Sequence, residues 1–328
     1  MKKLMILALL MTGFALTSNA QENEKKKTVI ELPQWVKNIK ISGYGMLQYQ
    51  ADDKYGSGLD KDGNPVKNHE NAFNLRLMRL IMDGKIGDFA WRVQMQGSSN
   101  AGPGNPTVML VDLFAEWQKY EFFRVKAGQF KRAFTFENPT HPITQGWYSY
   151  ATVINSLSGF GDRSGEKASG GRDIGLQIQG DFLKNAAGRN LIHYQIGVYN
   201  GEGINQKDRD SRKDVIGGIW FMPVKGVRIG AFGWTGSRGD MTWTDENGNE
   251  CKGSVSKNRY ALSAEYDKDE WTFRAEYIHS QGWGATKVDS RTVDFSKGDK
   301  ADGFYVFGIV PVIKSKLHAK ARYNLYRP

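Results

Sequence analysis

The feature that most constrains this chain is a period of two in its hydropathy, held for about ten residues at a time and repeated along most of its length. Near the end, Leu317, Ala319, Ala321, Tyr323 and Leu325 alternate with Lys316, His318, Lys320, Arg322 and Asn324. Successive side chains of an extended strand point to opposite faces, so such a stretch has one apolar and one polar face. The same alternation sets Phe89, Trp91, Val93 and Met95 against Arg92, Gln94 and Gln96, and Phe123, Val125 and Ala127 against Arg124 and Lys126. It sets Ile174, Leu176, Ile178 and Phe182 against Asp173, Gln177, Gln179 and Asp181, and Ile192, Tyr194, Ile196 and Val198 against His193 and Gln195. Trp271, Phe273, Ala275 and Tyr277 likewise face away from Thr272, Arg274 and Glu276. Less regular strands fall near 38–50, 72–86, 107–118, 213–222, 225–235, 257–267 and 302–311, for a total of about thirteen. The alternation slips between Leu77 and Leu80, as at a bulge, and both faces are apolar from Phe304 to Val310.

The connections alternate between short and long. Short ones lie near Gly87 and Asp88, Lys119 to Glu121, Leu183 to Asn190, Pro223 to Gly226, Asp267 to Glu270 and Val312 to Ser315. Long ones cover roughly 51–71, 97–106, 130–170, 200–212, 236–256 and 281–301. They are crowded with Gly, Asn, Asp and Ser, as turns between strands are, and helix content is expected to be low. A meander with short turns at one end and long loops at the other is the form of an outer-membrane barrel, whereas a soluble sandwich has no reason for that rhythm. The predicted fold class is therefore all-β, a transmembrane antiparallel β-barrel formed as one domain by residues 38–328. In lipid the sheet must close, because an open edge leaves backbone groups without partners, and bacterial barrels close with an even number of strands. Thirteen strands starting from the periplasm end on the outer side, so further strands are expected beyond Pro328.

The N-terminus agrees with export. Lys2 and Lys3 precede an apolar run from Leu4 to Leu16, followed by Ser18, Asn19 and Ala20. That order predicts a secretory signal peptide over residues 1–20, cleaved after Ala20, with 21–37 as a periplasmic N-terminal segment. The run is shorter than the ~20 residues a spanning helix needs. No later stretch of that length is uniformly apolar and the mean hydropathy is −0.53, which excludes a helical membrane protein and says nothing against a barrel. The formal charge of +10 becomes +8 once Lys2 and Lys3 are removed, which suits anionic lipid or anionic solutes, while export argues against nucleic acid. Cys251 is the only cysteine, so no disulfide scaffold is possible within the chain.

Several stretches resemble the phosphate-selective porin O and P family. Gly43-Tyr44-Gly45-Met46-Leu47-Gln48-Tyr49 is similar to its first strand, and Lys126 to Glu137 (KAGQFKRAFTFE) resembles the GQFK-x-x-F-x-x-E segment that opens its long third loop. Arg172-Asp173-Ile174-Gly175, Gly197 to Gly203, Ala264-Glu265-Tyr266, Ala275-Glu276-Tyr277 and Ala321 to Tyr326 follow in the family's order, so the resemblance runs from about residue 39 to the end. It implies a barrel of sixteen strands, a homotrimer in the outer membrane of a Gram-negative bacterium, and passage of phosphate-like anions. Two departures stand out. The family's paired arginines in the second strand are Met78-Arg79 here, which leaves Arg79 as the one pore-lining charge at that place. The final strands and the terminal aromatic residue are absent from the sequence, as in a fragment.

If the apolar faces meet lipid, the polar faces line a lumen. The alternation puts Arg92, Arg124, Lys126, Arg274, Lys316, Lys320 and Arg322 there, against Asp173, Asp181 and Glu276. A positive excess in a narrow pore lowers the barrier for anions and raises it for cations, but charge farther than ~10 Å from the ion is screened. The segment from Phe130 to Gly171 is long enough to fold inward and narrow the path, bringing Lys131 and Arg132 to it. Trp117, Tyr120, Phe122, Phe123, Trp271 and Tyr326 are placed to form interfacial girdles.

No nucleophile elbow, HExxH or Walker loop is present, and Gly201-Glu202-Gly203 has Gln206 where a dinucleotide loop needs its third glycine. His69, His141, His193, His279 and His318 lack metal-ligand spacing, and neither Asp60 to Asn64 nor Asp245 to Asn249 places glycine at the sixth position of a calcium loop, so these two stretches read as turns. The expectation is a channel for small hydrophilic solutes that favours anions, with no enzymatic activity, cofactor or metal. Its rivals are a barrel adhesin acting through its long loops and a secreted all-β carbohydrate-binding protein.

Overall fold

The alternating stretches form one antiparallel sheet of thirteen strands, each hydrogen-bonded to its neighbours in chain order. The computed structural model describes residues 38–59, 65–98, 108–164, 170–283, 286–287, 291–296 and 298–328. The expected signal peptide, the segment 21–37 and the turn Asp60 to Asn64 lie outside the described residues. The strands are β1 (Lys40–Leu59), β2 (Pro65–Ile86), β3 (Phe89–Gly97), β4 (Val108–Trp117), β5 (Arg124–Lys131), β6 (Arg172–Lys184), β7 (Asn190–Tyr199), β8 (Asp214–Phe221), β9 (Val227–Thr244), β10 (Glu250–Lys268), β11 (Trp271–Gln281), β14 (Lys300–Ile313) and β15 (Leu317–Arg327). Two-residue strands β12 (Thr286–Lys287) and β13 (Val293–Asp294) pair within the loop before β14. The helix α1 (Thr152–Leu157) lies in the loop between β5 and β6.

The period of two is visible in burial. Along β10, Val255, Lys257, Arg259, Ala261, Ser263 and Glu265 are buried, while Ser256, Asn258, Tyr260, Leu262 and Ala264 between them are exposed. The exposed set on the wall is largely apolar, with Ile229, Leu262, Phe273 and Val306 open on the outside. The inverse of a soluble protein's arrangement, with charges inside and grease outside, suits a wall in lipid.

The sheet curls around residues 132–164 of the loop that follows β5. Laid flat, thirteen strands span about 58 Å at ~4.8 Å per gap, too wide for one loop to reach both edges. Yet His141 meets Tyr44 of β1 (3.4 Å), the Phe136 N–H reaches Glu276 of β11 (2.7 Å), and the Thr152 N–H reaches Asn324 of β15 (3.3 Å). The main apolar cluster lies inside the wall, joining loop residues Phe134, Phe136, Ile154 and Leu157 to Phe232, Trp234, Ile278, Tyr305 and Phe307. Val153, Ile154 and Leu157 of α1 are buried, and the helix packs on β11, β14 and β15. This explains the doubly apolar Phe304 to Val310: Val306 faces outward, while Tyr305 and Phe307 face the loop. Among the described residues no ladder joins β1 to β15.

Three expectations are corrected. The connections placed at 51–71 and 236–256 are mostly ladder, since β1 pairs with β2 out to Leu59 and Pro65, and β9 with β10 out to Thr244 and Glu250. Pairs such as Thr242 with Lys252 and Ser237 with Ser256 are polar, and the apolar contacts of the outer β9–β10 ladder are few, Met241, Trp243 and Val255 against Trp283, Val293 and Phe295, so only a short alternation marks it. The bulge sits at Arg76, where Met46 pairs with Leu77 but Leu47 with Leu75, just before the predicted slip. Finally, Trp117, Tyr120, Phe122 and Phe123 do cluster near the β4–β5 turn, but Tyr326 packs against the inner cluster, because its register puts it on the inward face.

Candidate functional site in the lumen

The inward loop begins where β5 ends, and its first turn shows why the KAGQFKRAFTFE stretch has its composition. Gly128 has φ +128°, and a side chain there would lie 2.2 Å from the Leu113 carbonyl oxygen, so only glycine lets β5 approach β4. Arg132 is buried; it donates to Asp173 at 2.8 Å and lies over Trp234 at 4.8 Å. Phe134 meets Trp234 edge-on at 5.4 Å, and Phe136 meets Phe232 in the same way, also at 5.4 Å. Both rings are almost fully buried, worth roughly 3–6 kcal/mol together. Between them Thr135 takes φ +63°, a strained conformation for a β-branched residue that costs roughly 1–3 kcal/mol. The strained turn aims two successive amides at one carboxylate: the Phe136 and Glu137 N–H groups donate to Glu276 at 2.7 and 2.8 Å. Glu276 also accepts from the Tyr305 hydroxyl (2.8 Å) and from Ser263.

Farther along, Asp162 accepts two hydrogen bonds from Arg259 at 2.7 Å each, and Arg172 donates to Asp112 at 2.6 Å. The Arg259 charge outweighs burial and holds the Asp162 carboxyl below its usual range. Burial, and then the neighbouring Glu276 charge, push the Glu137 carboxyl up, although it accepts from Gln145 (3.0 Å) and the Ala151 N–H (3.2 Å). The stretch Gly146 to Tyr150 (GWYSY) is strapped between cations of distant strands. Lys320 and Arg322 of β15 donate to the Gly146 and Ser149 carbonyls and flank Trp147, while Arg76 of β2 lies 3.9 Å over Tyr148 and donates to its carbonyl.

Beside this loop are two cavities. The larger, about 370 Å³, is lined by Arg79, Arg92, Lys126, Lys131, Arg132, Arg172 and Arg228, with Asp112 as the acid among its lining residues. The smaller, about 280 Å³, shares Arg79, Lys131 and Arg172 with it, so these three stand where the two cavities adjoin, termed the neck below. Most of the cations are paired. Arg92 donates to Asp83 at 2.7 Å; Arg124 pairs with Asp181 and Glu116; Lys126 lies 3.7 Å from Glu116; and Arg274 and Arg228 share Glu265. Arg79 and Lys131 differ. Arg79 donates to the neutral Gln96 at 2.8 and 3.1 Å, and Lys131 donates to the Asn138 carbonyl at 2.6 Å, and among the described residues neither has an acidic partner. His141 registers the resulting field: burial, then Arg79, Arg92, Arg172 and Lys131, hold its pKa below the ordinary value.

The structure thus brings Arg79, Arg92, Lys126, Lys131 and Arg132 to one cavity, sets Lys320 and Arg322 against the strap, and puts Arg124 and Arg274 on paired sites along the wall. Lys316 stands apart, exposed in the turn between β14 and β15. Sequence reasoning missed Arg172 and Arg228 as lining cations. Arg172 lies in the quoted RD-x-G stretch and Arg228 in the alternation of Val227, Arg228 and Ile229, so the signals for both were local. Glu276, by contrast, was placed only as a wall acid; that it receives a loop is a contact across 140 positions with no local signal. Asp245 accepts from the Asn247 and Asn249 amides as an ordinary turn, and among the described residues no acid, histidine or cysteine cluster could hold a metal.

A wall of antiparallel strands with apolar residues outside, a lumen of charged residues and a long loop folded into it define a porin of the outer membrane. The sequence profile of the phosphate-selective porin O and P family matches residues 44–214, and the chain belongs to that family. A porin is a channel and not an enzyme. In fold the chain is similar to OmpF of Salmonella typhi, solved in complex with daunomycin, at 12% identity and a TM-score of 0.53 over 88% of this chain and 79% of that one. Comparison also finds OmpT of Vibrio cholerae (10% identity, TM-score 0.47, 88% of this chain and 77% of that one). The outer-membrane channel DcaP of Acinetobacter baumannii is found at 8% identity and a TM-score of 0.49, over 88% and 79% of the two chains. A comparison with curated protein sequences gives no match.

Proposed function

We infer that the chain forms a water-filled channel through which small hydrophilic solutes diffuse, with a preference for phosphate-like anions, and that it works as a homotrimer after residues 1–20 are removed on export. One observation carries the anion preference. In a lumen where most cations have an acidic partner, Arg79 and Lys131 have none among the described residues, and both stand at the neck between the two cavities. A neutral ion pair leaves little field at a distance, whereas an uncompensated charge at a constriction attracts anions and repels cations. The other candidate positions, Arg92, Arg124, Lys126, Arg132, Arg274, Lys316, Lys320 and Arg322, act as paired or peripheral charges that line or brace the path. The test is the reversal potential of the full-length protein in a planar bilayer under a potassium chloride gradient. Anion-favouring potentials support the reading, cation-favouring potentials overturn the preference, and absence of conductance overturns the channel.

A further inference from the structure

We propose that the larger cavity is a binding site for organic anions that carry a ring, with the anionic end at Arg79 and Lys131 and the ring against Phe114, Pro139 and Trp220. The proposal rests on the anion-favouring reading and adds a ligand class to it. A bare oxyanion is best held by donors on every side. Here the cations share the cavity with aromatic and proline surface, against which a hydrated oxyanion loses water and gains no hydrogen bond. Phe114 and Trp220 are only partly buried, and Pro139 is exposed, so all three present apolar surface to the cavity. Covering that surface with a ligand ring releases water, and aromatic pairs add a further directional gain.

The rings are also held in place. Lys126 lies 5.0 Å over Phe114, and Trp220 is stacked face to face on His193 at 4.0 Å and 18°, which fixes the orientation of both aromatic rings. A volume of about 370 Å³ falls within the ~300–1,000 Å³ range of small-molecule sites and exceeds what a single oxyanion fills. The cavity therefore has two parts, a charged neck and an apolar wall.

Calorimetry on the detergent-solubilised full chain tests this with three probes: phenyl phosphate, inorganic phosphate and benzyl alcohol. Phenyl phosphate is expected to bind about tenfold tighter than inorganic phosphate, equivalent to about 1.4 kcal/mol. Phe114→Ala removes most of that advantage and leaves inorganic phosphate unchanged; Trp220→Ala, on a different strand, gives the same result independently. Equal affinities for the two phosphates in the unsubstituted chain overturn the ring site, as does benzyl alcohol binding as tightly as phenyl phosphate. If neither anion binds while reversal potentials still favour anions, the ring site falls and the anion-favouring channel stands. Cation-favouring potentials overturn both.

Discussion

Arg79 and Lys131 allow the selectivity argument to be tested in numbers. Arg79→Gln keeps an amide to meet Gln96, and Lys131→Gln keeps a donor for the Asn138 carbonyl, so each removes charge with little change in shape. An ion passing about 5 Å from a unit charge feels roughly 0.8 kcal/mol in a medium as polarisable as water, from 332/(80 × 5). A Debye length of ~8 Å at physiological salt lowers this to roughly 0.45 kcal/mol. The charge attracts an anion and repels a cation by that amount, so its removal changes the preference by roughly 0.9 kcal/mol, a factor of about four to five. Each single variant should therefore lower the anion-to-cation permeability ratio about four- to fivefold, and the double variant roughly twentyfold, read from reversal potentials in a planar bilayer. Two controls isolate the neck. Lys316→Gln removes the same unit of charge from the exposed β14–β15 turn and should leave the ratio nearly unchanged. Replacing the pair Arg92 and Asp83 by Gln and Asn removes no net charge and should do the same. If Lys316→Gln moved the ratio as far as Arg79→Gln, selectivity would come from overall charge, and the reasoning from geometry would be wrong.

Other consequences follow from how the loop is docked. Glu276→Ala leaves the Phe136 and Glu137 amides without their acceptor, at roughly 1–3 kcal/mol each; hydrogen exchange at these two amides should rise sharply and channel conductance should increase, and unchanged protection would contradict the docking role. Glu137 has a pKa raised by burial and by Glu276, so its contribution to loop docking is full below the ordinary glutamate range and is lost as pH rises through the raised value. Acidification from pH 7 towards 4 should accordingly deepen protection of the Glu137 region after correction for intrinsic exchange rates, and a fall in protection would refute the assignment. Thr135→Asn relieves a strained backbone, since asparagine tolerates positive φ, and keeps an acceptor for the Asn138 amide; thermal release of the loop should occur at the same or a higher temperature, by up to about 1 kcal/mol, and a lower one would show that no strain is stored there.

The wall was legible in the sequence because strand alternation and turn chemistry are local. Trp271 to Tyr277 shows both faces within seven residues, and β11 follows them. From Gly236 to Thr244 the apolar face is short, Met241 and Trp243 meeting Trp283, Val293 and Phe295, so polar residues on either side leave the ladder with a weak hydropathy signature that reads as a loop. Alternation also assigns a face and not a partner. Arg92, Arg124 and Lys126 were placed on the inner wall, but Asp83, Asp181 and Glu116, which neutralise them, became visible only through register across strands. Lys316 shows the opposite failure, because the pattern runs one residue past the strand into its turn. The inward loop was inferred from length alone; its buried pairs, such as Arg259 with Asp162, join positions 97 apart.

The loop's anchors also set an order of assembly. Its holding groups come late in the chain: Phe136 waits for Glu276, 140 positions on, and Ser149 for Arg322, 173 positions on. Contacts of such separation carry a large loop-closure cost and form slowly, whereas each hairpin of the wall pairs with its immediate neighbour. The lumen is then filled after the wall is standing. Until β9 arrives, the buried rings of Phe134 and Phe136 lack the Trp234 and Phe232 they pack against, and until β11 and β15 follow the loop lacks its anchors, so an unfinished chain carries its own aggregation-prone segment in the middle of its sequence.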